Sequence, residues 1–416
     1  MSHHDQEFSA VPKKRVLSAR PDAGLDQAER VELLVKGQGI VSFALTEKRT
    51  FSWTITDLGD TTRGLRLEIA AEAAVLYERI SGQWQVIRQY KQDGVGLDPE
   101  KECQYWYSLD CHNRRIRYGK GEMRLKTMLV NYDFPPVPDH GDDPFAWVAG
   151  VESVTLAPPV EEEIVIWRDP VTTEPALFVV GTDKISMEDV ARNNATVPAN
   201  LTPACQMLYA NVSGPNFQLN TPDFPDFVNA IEASIRNPQG WCYRKLKEKA
   251  DEFGEHNEEE TYLRITMGVN QGDSPGIPYV MEIWPGGHYS PIHNHGQANA
   301  VIRVLSGEIK VRLFAMLSMF HETPFAEQIF RKDDVTWISP GLNQFHQLIN
   351  PNQGGPTCVT IQCYRYSDGD ATHYEFFDYL SGDEIKPFTP NSDMGFLEFK
   401  TTMKREWETF GPAGHC

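Results

Sequence analysis

The sequence predicts a mainly β protein in which two β-rich regions flank a short helical stretch. Three observations carry that prediction. Residues 29–180 are short apolar runs broken by turns, residues 223–253 switch to a helical spacing, and from Thr261 to about residue 380 the short runs return. A chain of 416 residues is too long for one small core, so more than one domain is expected.

The first β-rich region holds VELLVKG, IVSFAL, FSWTIT, LRLEIA, AVLYERI, WQVIRQY, IRYG, VESVTL, EIVIW and ALFVVG. These runs are rich in Val, Ile, Phe, Tyr and Trp, which pack well on a pleated surface. A sandwich-like domain over 29–180 buries their apolar faces against each other. Residues 1–28 read as a flexible leader, and the Pro- and Gly-rich stretch Tyr132 to Pro144 reads as a loop. Residues 181–222 lack periodicity and read as a linker or a strap. Thr221-Pro222-Asp223 then precedes Phe224, Phe227, Val228, Ile231 and Ile235, which recur at helical spacing until Asn237-Pro238. Trp241 to Phe253 reads as a second helix with a charged outer face. The second β-rich region contains YLRITMG, YVMEIW, NAVIRVLSG, EIKVRLFAML, DVTWIS and TCVTIQCYRY, and 381–416 reads as a C-terminal extension.

Lys and Arg total 39 against 58 Asp and Glu, a formal net charge of −19. Such a balance argues against a general nucleic-acid binder and against docking on anionic membranes. No apolar run is long enough to span a bilayer, and MSHHDQEFSAVPKKR lacks the apolar stretch of a secretory signal. Seven cysteines, an odd count with no CxxC pair, are not a disulfide framework. A reducing, cytoplasmic setting is expected.

The chemistry-bearing text is GGHYSPIHNHGQANAVIRVLSG, Gly286 to Gly307, followed by DDVTWISPGLNQFHQLIN with His346 and Asn350. His293 and His295 alternate, so both side chains can point to one side of an extended segment. One HxH reads equally well as two surface histidines in a turn. Together with a distant third imidazole at His346 it suits a mononuclear Fe, Ni or Zn site.

These two stretches resemble the two motifs of the cupin superfamily, and more closely those of the cysteine dioxygenase family of thiol dioxygenases. The first motif maps onto Gly287, His293, His295 and Gly307, and the second onto His346 and Asn350. The resemblance covers about residues 225–380 and implies a C-terminal cupin jelly-roll barrel over 223–380, preceded by short helices. It implies Fe²⁺ held by His293, His295 and His346, and addition of both atoms of O₂ to a thiolate sulfur. Most cupins place a Glu ligand five residues after the second histidine; here that position is Ala300. Ala300 also replaces the cysteine that many animal members crosslink to a tyrosine. Tyr262-Leu263-Arg264 fits the family's Tyr-x-Arg, whose arginine grips a substrate carboxylate, so Arg264 and Tyr262 are expected in substrate binding. Tyr364-Arg365-Tyr366-Ser367 aligns with the family's His-x-Tyr-Ser, which makes Tyr366 the catalytic tyrosine and puts Tyr364 where a histidine usually stands. Tyr105 to Glu122 resembles a lectin-like sandwich domain named after farnesoic acid methyltransferases; it also reads as one hairpin of an unrelated sandwich.

The expected function is thus a non-haem iron thiol dioxygenase acting on L-cysteine or 3-mercaptopropionate, with a small thiol and O₂ as partners. Three neutral imidazoles leave a divalent ion positively charged and with open positions, which suits a substrate that brings its own anionic thiolate. Other readings stay open: a three-histidine dioxygenase cleaving a diketone or flavonol, a metal- or ligand-binding cupin without catalysis, or a bicupin whose first barrel, over 29–180, has lost its ligands.

Overall fold

The structure is a computed structural model that describes residues 11–18, 28–45, 47–98, 103–268, 279–296, 298–366 and 377–411. Ser367, His373 and most of the expected leader lie outside the described residues. The chain divides into two compact units, Met1–Glu174 and Pro175–Cys416.

The N-terminal unit holds β1 (Lys14–Leu17), β2 (Glu29–Glu32), β3 (Gln38–Leu45), β4 (Phe51–Thr56), β5 (Gly64–Ile69), β6 (Ala74–Ile80), β7 (Gln83–Tyr90), β8 (Cys103–Asp110), β9 (Arg115–Lys120), β10 (Met128–Asp133), β11 (Ser153–Ala157) and β12 (Ile164–Trp167). They form two six-stranded sheets, ordered β1-β12-β3-β8-β9-β10 and β2-β11-β4-β5-β6-β7. Their inner faces meet through aromatic rings. Trp53 of one sheet stacks on Tyr107 of the other at 5.6 Å, and Phe51 meets Tyr105 edge-on at 5.1 Å. Residues 14–17, inside the expected leader, are paired with β12 along their whole length.

In the C-terminal unit come β13 (Phe178–Val179), α1 (Met187–Ala191), β14 (Ala195–Thr196), α2 (Pro203–Val212), α3 (Phe227–Arg236) and α4 (Trp241–Glu248). Then follow β15 (Leu263–Met267), β16 (Tyr279–Trp284), β17 (Asn299–Ser306), β18 (Glu308–Leu313), β19 (Ala326–Arg331), β20 (Val335–Ile338), β21 (His346–Ile349) and β22 (Cys358–Arg365). The chain ends in β23 (Phe377–Ser381), β24 (Glu384–Phe388), β25 (Met394–Gly395) and α5 (Phe396–Phe410). A six-stranded sheet runs β20-β17-β22-β16-β15-β25; a three-stranded one runs β19-β18-β21; β23 and β24 form a hairpin.

The molecule is mainly β, but the expected jelly-roll barrel is not formed: no sheet closes on itself among the described residues. Closure needs the two outer strands of a sheet to exchange hydrogen bonds. Here one outer strand, β25, is two residues long, pairs only with β15, and turns directly into α5. The sheets therefore remain open layers.

The six-stranded sheet is buried on both faces, and strand alternation divides them. One face, with Leu263, Ile265, Met281, Ile283, Val301, Val359 and Ile361, packs under helices through Leu208, Phe227, Ile231, Phe399 and Met403. Phe227 and Phe399 meet at 5.9 Å. Burying each such side chain contributes roughly 1.5–3 kcal/mol. The stretch expected as a linker thus supplies α2, and the expected C-terminal extension supplies α5. The other face carries Arg264, Glu282, Thr360, Gln362 and Tyr364, all buried.

Candidate metal centre

The two halves of the histidine pattern are joined by backbone. His293 and His346 exchange two N–H···O bonds of 3.0 Å, so a loop residue is paired with the first residue of β21. Leu380 of β23 donates to Ile292, and the Asn294 N–H donates to Asp378 O at 2.9 Å, which fixes the loop from its other side. The chain enters β21 through a pinned turn: the Gln344 amide donates to Ala298 O and Ser339 O, and Asn343, at φ 60°, donates to Trp337 O. Asn350 closes the strand by donating to Trp284 O and Pro356 O. Gly307, at φ 73°, makes the β17–β18 turn, where a Cβ would lie 2.8 Å from Thr357 O.

The result is three imidazoles facing one point, with one ligand nitrogen from each within 4.8 Å of the others. The rings of His293 and His346 are 4.5 Å apart, and each lies 5.0 Å from His295. His295 and His346 are buried; His293 is partly so. His293 Nδ1 faces Pro291 O at 3.0 Å and His346 Nδ1 faces Asn343 O at 3.2 Å. A carbonyl only accepts, so both Nδ1 atoms carry the proton and both Nε2 atoms present lone pairs. His293 Nε2 lies 3.2 Å from His295 Nε2, but His346 Nε2 is buried with no hydrogen-bond partner. One imidazole–imidazole bond cannot satisfy three converging nitrogens. Burial holds the rings neutral, pushing His293 down to about 4 and His295 and His346 well down, with the neighbouring charges of one another and of Arg264 adding to it. Neutral imidazoles with inward lone pairs fit a divalent cation, and the donor set suits Fe, Zn, Ni or Cu more than Mg or Ca.

Ala300 is fully buried against Val280, Ile302, Ile338 and Tyr364, so no carboxylate stands at that position. The Tyr364 ring stacks on His295 at 5.3 Å, and Phe377 of β23 packs on the same imidazole at 4.6 Å. From Tyr364 a chain of contacts crosses the inner face of the sheet. Its hydroxyl donates to Gln362, the Gln362 amide donates to Glu282, and Arg264 Nη1 donates to Glu282 Oε1 at 2.7 Å. Arg264 is thus ion-paired inside the protein rather than open, although its Nε is buried without a partner. Burial pushes the Glu282 carboxyl up to about 7, with Arg264 and Gln362 opposing. Tyr262 stacks on Trp284 at 4.2 Å, in an apolar cluster with Phe253 and Tyr379. Tyr366 follows the end of β22, is partly exposed, and is near enough to Tyr364 for their charges to interact. His288 bonds Thr261 through Nδ1 and is not part of the trio.

Sequence reasoning missed Glu282, Gln362 and Phe377. Glu282 was readable as a charge inside YVMEIW, an otherwise apolar run; nothing local marks Phe377.

No family model matches the sequence. Solved structures give weak, partial likenesses to cupin-superfamily proteins, which point to no particular thiol dioxygenase family. The chain is similar to the Schizosaccharomyces pombe Cnp3 cupin domain at 12% identity, over 26% of this chain and 65% of that one, with a TM-score of 0.21. It is similar to an oxalate oxidase in complex with glycolate at 14% identity, over 26% and 52%, TM-score 0.22. A Ruminococcus gnavus sialidase carbohydrate-binding module, CBM40, is similar at 14% identity over 33% and 79%, TM-score 0.23. The chain spans less than two thirds of the length of the first two.

Proposed function

We propose that this chain is a non-haem iron dioxygenase that converts a small thiol carboxylate, L-cysteine or 3-mercaptopropionate, to its sulfinate: RSH + O₂ → RSO₂H. The observation that carries the reading is the set of converging neutral imidazoles with an orphaned Nε2 on His346. His293, His295 and His346 hold the ion. Bound Fe²⁺ supplies a positive charge that favours the thiolate form and a shared point at which thiolate and O₂ meet.

The protein's own groups do the rest. Tyr364 and Phe377 pack on the His295 ring and help keep water from it. Arg264 Nε, buried without a partner, offers a donor to the substrate carboxylate. Two carboxylates against one buried guanidinium are unfavourable, so Glu282, already pushed up to about 7, takes a proton on Oε1 or Oε2 as the substrate arrives. Tyr366 donates its hydroxyl to the reacting sulfur or oxygen, and Tyr262 walls the substrate side of Arg264.

The test is O₂ consumption after anaerobic iron loading, against cysteine, 3-mercaptopropionate, homocysteine and cysteamine, with sulfinate detected by mass. Uptake coupled to sulfinate is expected with the carboxylate thiols. Uptake with cysteamine alone would remove the role of Arg264, and no uptake across the panel would remove the thiol reaction while leaving the metal centre standing. A specific observation favours one second reading: Arg264 already has Glu282, which a substrate without a carboxylate would leave undisturbed.

A further inference from the structure

The C-terminal unit contains a concavity of about 600 Å³ away from the histidines. Its walls come from β17, from the turn between β19 and β20, and from α2, α3 and the segment that joins those two helices. Arg303, Leu305 and Val335 line it. On β17, Val301 and Leu305 belong to the helix-covered face, while Ala300 and Ile302 pack with Tyr364 on the inner face. By strand alternation Arg303 lies with the former, so the thickness of the sheet separates this cavity from the metal centre.

Arg303 is 9% exposed and organises the cavity wall. Its Nη1 donates to Val212 O at 2.8 Å and Gly214 O at 3.0 Å, closing the C-terminal end of α2. Its Nη2 meets Asp333 at 2.7 Å. Asp333 has φ 75°, a conformation rare for a residue with a side chain, and here its carboxylate is held on the guanidinium. The Asp333 charge is therefore matched by Arg303. Lys184 and Lys332, which also line the cavity, have no ion-pair partner among the described residues. Asp183 acts on the wall through Tyr209, which also feels Arg303. Asn220 Oδ1 accepts from Val228 N at 3.0 Å, so its amide offers only donor hydrogens beyond that bond. Part of the wall is apolar: Phe217, which stacks on Tyr279 at 5.9 Å, lines it together with Leu305 and Val335.

We infer that this cavity binds a small organic anion with a flat apolar body, the anionic group on Lys184 and Lys332 and the body against Phe217. Its volume is that of a small-molecule site. In a chain of net charge −19 an anion is repelled in general, so, among the described residues, two unpaired ammonium groups against one unpaired carboxylate, Asp183, beside an aromatic ring are a local reversal.

The test uses 8-anilinonaphthalene-1-sulfonate and its uncharged relative N-phenyl-1-naphthylamine on the full chain, by calorimetric titration and fluorescence. One sulfonate site per chain is expected. The double variant Lys184→Glu/Lys332→Glu should weaken it about tenfold, since two exposed charge contacts are reversed. The neutral probe should bind the variant and the native chain alike, and metal stoichiometry and circular dichroism should not change. Asn229→Trp, which narrows the cavity from α3, should weaken both probes. Equal sulfonate affinity in the native chain and the charge variant would overturn the inference, as would no binding to the native chain up to about 1 mM.

Discussion

Both units enclose a space between β-layers, one lined mainly by aromatic rings and the other by polar groups beside an apolar cluster. In the N-terminal unit Phe43, Phe51, Trp53, Tyr105, Tyr107 and Tyr118 interlock between two six-stranded sheets. In the C-terminal unit the corresponding face carries Arg264, Glu282, Thr360, Gln362 and Tyr364, all buried, and the buried His295 stacks on Tyr364 from a loop. Burying such groups costs free energy unless each is paired. The polar groups of the C-terminal unit sit beside an apolar cluster of Trp284, Val304, Ile309, Val311, Phe330 and Leu348, and the other face of the same sheet is buried under helices. The candidate centre sits at the polar part of that space, where Tyr364 meets His295.

The contrast can be broken from either side. The largest effect is expected from Trp53→Ala, which removes the ring that touches Phe43, Phe51, Tyr107 and Tyr118. It should destabilise the N-terminal unit by about 3–5 kcal/mol in denaturant unfolding and leave metal content unchanged. Loss of metal in that variant would show that the two interiors are not independent. Next comes Glu282→Ala, which strands the buried Arg264 guanidinium and should cost about 3–4 kcal/mol. Glu282→Ala/Arg264→Met, which removes both charges, should recover most of that loss in the same unfolding assay; no recovery would mean that the pair is not the reason for the cost.

A smaller effect concerns pH. Burial raises the Glu260 carboxyl from 4.5 to about 7. The folded chain then holds this proton more tightly than the unfolded one, so the associated stability is full below about pH 4.5 and is lost as pH rises through about 7. Thermal unfolding from about pH 5 to about pH 8 should show the native chain declining relative to Glu260→Gln. Parallel curves would refute the shift.

The histidines were legible because HxH alternation and a distant third imidazole are local text. The helix at Phe227 was legible for the same reason; Phe396, Phe399, Met403 and Trp407 carry a helical spacing too, but a reading of 381–416 only as a C-terminal extension misses α5. Arg264 and Glu282 were harder. An alternating strand normally turns its charges to water, and only the helices packed against the opposite face show that these two point inward. Barrel closure was not legible at all, because it depends on hydrogen bonds between outer strands far apart in sequence, and a two-residue β25 cannot make them.

We propose that His293, His295 and His346 form one divalent-metal centre. Its most direct test is elemental analysis of the native chain, His293→Ala and His346→Ala, purified identically without chelator. About one equivalent of a transition metal is predicted for the native chain, with a loss of at least about tenfold in metal retained by each variant. Variants that keep the full native equivalent would contradict it.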